Sequence, residues 1–253
     1  MRKVFIIGIG AGNPDYLTVQ AINALNQVDV FFIPDKGSEK AGLKQLRMEI
    51  CDRFIRDRVY RLVELKTPER AKEFSDYPSN VAEWHTRIEA IYTDLLMNEL
   101  ADGECGGFLP WGDPSLYDST LRIIENIRSR GLALEYEVIP GITSVQALAA
   151  KHRISLNRIG EPVLITTGRK LVEGGADDQR DVVVLLDGEQ AFSRLNGDDF
   201  DIYWGAYLGT TDEILIAGRL GDVMGDIKAA RARARQERGW IMDIYLLRRP
   251  DSE

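Results

Sequence analysis

Three stretches of this sequence place small and chemically active residues where an apolar run should hand over to a helix. One is FLPWGDPSLYDST, Phe108 to Thr120, in which the run closes on Trp111, Gly112, Asp113 and Pro114. Asp113 suits a helix N-cap and Pro114 a first helical turn, so a helix is expected over 115–130. A cap leaves Gly112 unexplained. Ligands of open α/β sheets bind beyond the carboxyl ends of the strands, and a glycine there offers its backbone to a small molecule at close range.

The same design recurs twice. GIGAGNPDYLT, Gly8 to Thr18, follows an apolar run with glycines at 8, 10 and 12. That spacing resembles a dinucleotide fingerprint, and Asp35 stands where a ribose-binding acid would. Asn13 occupies the position where the fingerprint needs a third small residue, and Pro14-Asp15 adds a stiff turn and a negative charge where a pyrophosphate would sit. A nicotinamide oxidoreductase, a purely structural turn and another ligand loop all stay open for this stretch. VIPGITSVQALAA, Val138 to Ala150, again ends a strand in Pro-Gly, with Thr143 and Ser144 able to cap the next helix.

These loops need strands and helices to hold them, and the hydrophobic periodicity supplies both. Strands are expected at Lys3–Gly10, Val28–Pro34, 58–65, 105–110 and 132–140. Between them lie helices at Leu17–Gln27 (apolar stripe Leu17, Ala21, Ile22, Leu25), about 40–54, and 80–100 (Trp84, Ile88, Ile91, Leu95, Met97). This alternation predicts an open, mostly parallel sheet. From about 157 the loops shorten. Strands are expected at 163–167 and 181–186, in the two runs joined at GTTD, and in the closing WIMDIYLLR, with a helix over 221–238. The chain therefore reads as α/β with two domains, 1–157 and 158–253.

Composition narrows the partners. The 253 residues carry a net charge of −8, which argues against nucleic acid, and hold no apolar run long enough for a membrane span. The basic start MRK flows directly into loop chemistry without a cleavage site, so it reads as a first strand, with a cytoplasmic location and reduced thiols at Cys51 and Cys105. No Cys/His cluster has metal-ligand spacing, and no metal is expected. Five arginines between Arg47 and Arg61 form a basic patch. It reads either as a solvated helix face with mixed ion pairs or as a surface for an anionic ligand.

In order and spacing the three loops resemble the tetrapyrrole methylase family. Gly8–Thr18 matches its G-x-G-x-G-x-P-x-x-L-T loop, Gly112-Asp113-Pro114 with Tyr117 its G-D-P loop, and Val138–Ser144 its V-x-P-G-[IV]-[ST]-[SA] loop. LITTG, VVVLLDG and WGAYLGTTDEILIAGRL carry a weaker likeness into the second half. Ala11 and Leu186-Asp187-Gly188 depart from the commoner pattern, the first replacing Pro and the second Met-Gly.

The resemblance implies an S-adenosyl-L-methionine-dependent methyltransferase with its donor in a cleft between two α/β domains and S-adenosyl-L-homocysteine as product. Carried over residue by residue, it assigns Pro14, Trp111, Gly112, Asp113, Thr143, Ser144, Leu186, Asp187 and Ala206 to the donor. It also implies an anionic precorrin substrate, methylated at C-1 of precorrin-5 with release of acetate, and a homodimer. Asp35, Lys36 and Tyr117, in strand-end loops, are the candidate acid or base for the acetate step. Methylation at a different ring carbon, the nicotinamide reading, and a ligand-binding protein without catalysis are the alternatives.

Overall fold

The structure is a computed structural model that describes residues 1–35, 41–66, 77–174 and 180–250; at 35, 41, 66, 77–83 and 85 it describes the backbone alone. Lys36 lies outside the described residues. Contacts divide the chain into two compact units, Met1–Gly10 with Pro14–Ile142 and Ala11–Asn13 with Thr143–Glu253.

In the first unit, strands β1 (Arg2–Ile7), β2 (Val30–Asp35), β3 (Arg61–Lys66), β4 (Cys105–Phe108) and β5 (Leu134–Ile139) form one sheet in the order β3-β2-β4-β1-β5. Every neighbouring pair is parallel. Successive residues of a strand point to opposite faces, and here both faces are covered. Phe5 and Ile7 of β1 enter the core formed with helices α1 (Val19–Leu25) and α2 (Ala41–Phe54). Val4 and Ile6 enter the opposite core, with α3 (Tyr77–Asn98) and α4 (Thr120–Ser129). An all-apolar strand sequence is thus what a doubly covered parallel sheet requires.

Helix α1 buries Ala21, Ala24 and Leu25, and Leu17 just before it is buried too, close to the expected stripe; Thr18 caps the helix by accepting the Ala21 amide at 3.0 Å. Helix α3 meets expectation at Trp84, Ile88, Ile91 and Leu95, which pack in the core with Val4 and Ile6, and departs from it at Met97. Among its described residues Glu89 is buried, and the buried apolar side chains are Ile88, Tyr92 and Leu96, with Leu100 one further turn on, while Met97 is 54% exposed. The i, i+4 repeat places those four on one stripe, and Met97 falls off it. Tyr92 stacks on Phe108, which stacks on Phe32 (centroids 4.8 and 4.9 Å apart), so α3 is seated on β4 and β2.

The second unit contains α5 (Ser144–His152), β6 (Leu164–Thr167), α6 (Gly168–Val172), β7 (Asp181–Leu185), β8 (Asp201–Ala206), β9 (Ile214–Arg219), α7 (Leu220–Arg238) and β10 (Asp243–Arg248). Its sheet runs β6-β7-β10-β8-β9, with only β6 and β7 parallel. Helix α7 presses Leu220, Ile227, Ala230 and Ala234 into a core with Trp204, Tyr245 and Phe192. Helix α5 packs against β8, β9 and β10. That packing is why residues from Thr143 onward group with the second sheet, ahead of the 157/158 division read from loop lengths. Among the described residues no helix is long and apolar enough to cross a membrane.

Candidate functional site

The three loops singled out in the sequence leave the carboxyl ends of β4, β1 and β5, which are adjacent in the sheet. The connections leave in opposite directions there. From β1 the chain passes through α1 to β2 on one side, and from β4 it passes through α4 to β5 on the other. Such a switch point is where open α/β sheets bind ligands.

Backbone hydrogen bonds tie the loops together. Gly8 N–H donates to the Ile139 carbonyl (2.9 Å), and Gly10 and Gly112 exchange both amides in an antiparallel bridge (3.2 and 2.9 Å). The glycines are there for close approach. A Cβ on Gly141 would lie 2.1 Å from the Gly112 carbonyl oxygen, and one on Gly8 would lie 2.8 Å from the same atom. Gly112 also sits at φ 71°, open to glycine at no steric cost. Its amide donates to the Gly10 carbonyl.

Asp113 does not cap a helix. It opens a turn in which the Leu116 amide donates to its carbonyl (3.2 Å), and α4 starts only at Thr120, so the helix expected from 115 begins five residues later. The competing interaction is local: Asp113 Oδ1 accepts the Ser115 amide at 2.8 Å and the Ser115 hydroxyl, an Asx-type turn. Its Oδ2 reaches across to the Gly141 amide at 2.8 Å. Burial pushes this carboxyl upward, but the bonds from Ser115 and Gly141 outweigh it and hold it below its ordinary value. Pro14 opens a short 3-10 turn to Tyr16, and Trp111 is half-buried. Tyr117 is 47% exposed with φ 54°, and its hydroxyl is raised by partial burial. Asp35 closes β2, but its side chain, like all of Lys36, lies outside the described residues.

The first loop lacks dinucleotide-site geometry. A turn at Pro14–Tyr16 and the Thr18 cap intervene before α1 begins at Val19, so the helix N-terminus does not follow the glycines directly. Asp15 is held by Arg53 (2.5 Å).

The remaining candidates belong to the second unit. Thr143 caps α5: its hydroxyl oxygen accepts the Val145 amide (3.1 Å), its hydroxyl bonds to Gln146 Oε1, and that oxygen also accepts the Thr143 amide (3.2 Å). Ser144 is half-buried beside it. Leu186, just past β7, is 67% exposed and has φ 54°. Asp187 is buried and fastens this turn: Oδ2 accepts the Ala191 amide and the Tyr245 hydroxyl (each 2.7 Å), and Oδ1 accepts the Glu189 amide (3.2 Å). Arg231 donates to the Asp187 carbonyl (2.9 Å) and pairs with Asp243, whose Oδ2 also accepts the Trp204 indole N–H (2.8 Å). Ala206, at the end of β8, is fully buried in the core, and Tyr207 after it has φ 49°.

The basic patch disperses. Arg53, Arg58 and Arg61 lie at the surface in ion pairs with Asp15, with Asp29, and with Glu99 and Glu104. Arg47 is instead buried, 7% exposed, and lines a cavity of about 80 Å³ with Trp84, Tyr92, Asp118, Ser119 and Thr120. Sequence reasoning missed this cavity. The one available signal was Arg47 at an inward position of α2, four residues from Leu43 and three from Ile50.

Residues 3–224 match the model of the Tetrapyrrole (Corrin/Porphyrin) Methylases. A protein of Sinorhizobium sp named precorrin-6A synthase [deacetylating] is 54% identical over 98% of this chain and 96% of its own. The crystal structure of a cobalamin synthesis related protein (CobF) from Corynebacterium diphtheriae superposes with TM-score 0.84 at 39% identity, covering 99% of this chain and 100% of that one. The uroporphyrin-III C-methyl transferase of Thermus thermophilus, solved in complex with S-adenyl homocysteine, shares the fold at TM-score 0.58 and 15% identity, over 97% of this chain and 91% of that one. With the parallel sheet, its three strand-end loops and these likenesses in place, the chain belongs to the tetrapyrrole (corrin/porphyrin) methylases.

Proposed function

We propose that this protein is a deacetylating precorrin-6A synthase, an S-adenosyl-L-methionine-dependent C-methyltransferase of cobalamin biosynthesis that methylates C-1 of precorrin-5 and releases acetate. The observation that carries the reading is the 54% identity, end to end, to the Sinorhizobium protein of that name.

Local geometry supports a donor site at the expected positions. Non-glycine residues avoid positive φ, and those that adopt it cluster at functional sites. Of the six described non-glycine residues at positive φ, Tyr117, Leu186 and Tyr207 lie in or beside the segments assigned to the donor, and Asp57, Arg153 and Gln190 lie elsewhere. In the first unit Trp111 offers apolar surface for the donor and Pro14, Gly112 and Asp113 shape the loops that carry it; in the second, Leu186 offers apolar surface and Thr143 and Ser144 shape the start of α5. Asp187 acts by holding the Leu186 turn, and Ala206 by backbone alone, since its side chain is in the core.

The donor supplies an already activated methyl group. The protein's task is then to hold the acceptor carbon about 3–3.5 Å from it, in line and away from water. Asp35, Lys36 and Tyr117 remain the proposed groups for the proton transfer that frees acetate. Location in the cytoplasm and assembly as a homodimer belong to the same proposal, the second checked by sedimentation equilibrium.

Calorimetry with S-adenosyl-L-homocysteine beside NADH tests the reading, followed by turnover of precorrin-5 with acetate detection. Binding of the first ligand, a product one methyl heavier and stoichiometric acetate are expected. A methylated product without acetate would move the reaction to another ring carbon, and NADH binding alone would end the proposal.

A further inference from the structure

Arg47 is a buried cation whose fork of donors is only partly used. Nε donates to the Leu109 carbonyl (2.9 Å) at the exit of β4, and Nη1 to the Leu43 carbonyl (2.7 Å) one turn back on α2. A guanidinium has five N–H donors, so these two leave Nη2 and one Nη1 proton. Burial lowers its pKa to about 10, against the opposing field of Asp118, so it stays charged at neutral pH. Asp118 stands in the same cavity wall with Oδ1 already accepting the Thr120 amide at 2.7 Å. A desolvated charge is costly unless an anion meets it in good geometry.

The cavity is suited to supply that meeting place. Its volume of about 80 Å³ holds a group of a few heavy atoms, far short of a macrocycle. Tyr92, Trp84 and Phe108 give it apolar walls, and Ser119 and Thr120 add polar residues to its lining. Tyr92 cannot serve as the anion, because burial raises its hydroxyl to about 12.

We propose that the Arg47 cavity is a subsite for a short carboxylate, bound by the free edge of the guanidinium with its carbon end toward Tyr92 and Trp84. Two sources share this chemistry: free acetate, and the carboxylate end of a substrate side arm. Both rest on the proposed function. Asp118 opposes a second anion and keeps the affinity low, as a site that must release its occupant requires.

Titration of the intact protein with ¹³C-labelled acetate, followed by NMR, reads the site directly. Saturable binding in the millimolar range is expected, with propionate accepted and benzoate refused. Asp118→Asn keeps an acceptor for the Thr120 amide and removes the like charge, so acetate should bind several-fold tighter. Arg47→Lys keeps the charge but loses the fork and should bind about tenfold more weakly. Absence of saturable binding, or an affinity indifferent to both substitutions, would overturn the subsite. Adding precorrin-5 distinguishes the sources: competitive displacement assigns the cavity to a side arm, and joint binding assigns it to the released acid. S-adenosyl-L-homocysteine binding is measured on the same samples. If it binds and acetate does not, the subsite fails alone; if acetate binds and it does not, the methyltransferase reading fails alone.

Discussion

The Asp113 carboxylate accepts the backbone amide of Gly141 at 2.8 Å, fastening the loop after β4 to the loop after β5 across the exit of β1. One side chain thus joins two of the three loops that the sequence placed at strand ends. Its other oxygen holds its own turn through Ser115.

Replacing Asp113 by Ala should loosen both loops at once. Hydrogen bonds to a charged acceptor contribute about 1.5–3 kcal/mol when buried, and partial exposure puts this one near the lower figure, about 1.5 kcal/mol. Urea unfolding should show that loss, and S-adenosyl-L-homocysteine affinity should fall with it.

The same carboxyl has a pH signature. Its folded-state pKa lies below the ordinary 3.8, so its stabilisation is complete above that value and is lost as the pH falls through the folded one. Asp113→Asn should flatten the acid limb of the stability curve below about pH 4. An unchanged limb would mean that the bond to Gly141 does not depend on charge.

Gly141→Ala should be severe. The added methyl group would sit 2.1 Å from the Gly112 carbonyl, a backbone atom with no rotamer to yield, and the expected cost is about 3 kcal/mol or more. Gly225→Ala is the control. It lies inside α7 with nothing within 4 Å of an added Cβ, and should stabilise by about 0.5–1 kcal/mol. Melting temperatures moving in opposite directions would confirm that close approach, and not glycine content, is what Gly141 provides.

Leu186→Gly separates strain from function. Relief of the left-handed conformation is worth about 1–2 kcal/mol. The added freedom of the unfolded chain costs about 0.5–1 kcal/mol. Leu186 is mostly exposed, so little packing is lost and the melting temperature should hold or rise slightly. If the leucine touches the donor, S-adenosyl-L-homocysteine affinity should still fall about tenfold. Unaltered affinity would make it a turn residue only.

In the second unit, Asp243→Asn should be costly. Arg231 and Asp243 are 3% and 5% exposed, and the Arg231 Nε already lacks a partner. Removing one member strands a buried charge, about 3–5 kcal/mol. The double replacement Arg231→Met with Asp243→Leu should recover much of that loss. A double-mutant cycle in urea checks it.

Local rules made most of the elements legible. Strand runs without polar alternation announced a sheet covered on both faces, and β1 shows why: Phe5 and Ile7 go to one core, Val4 and Ile6 to the other. The Thr143 cap was equally readable, because capping depends on neighbours in sequence. Asp113 misled for the same reason. Asp-Pro is as good a turn start as a helix start, and here the local bonds from Ser115 make the turn while the reach to Gly141 ties it to the loop after β5. The apolar stripe of α3 was legible at Trp84, Ile88, Ile91 and Leu95 and failed at Met97, since phase at the end of a long helix is set by what it packs against.

By itself the sequence determined which segments become strands and helices, which loops stand at strand ends, and the family likeness those loops carry. These follow from periodicity, capping and turn chemistry within a few residues. The tertiary structure alone decided that β4, β1 and β5 are neighbours, that the Gly112 amide is taken by Gly10, and that Arg47 is buried beside a cavity while Arg53 is paired at the surface. Those outcomes depend on strand order and on contacts between residues far apart in the chain, and burial and hydrogen-bond partners exist only once that order is set.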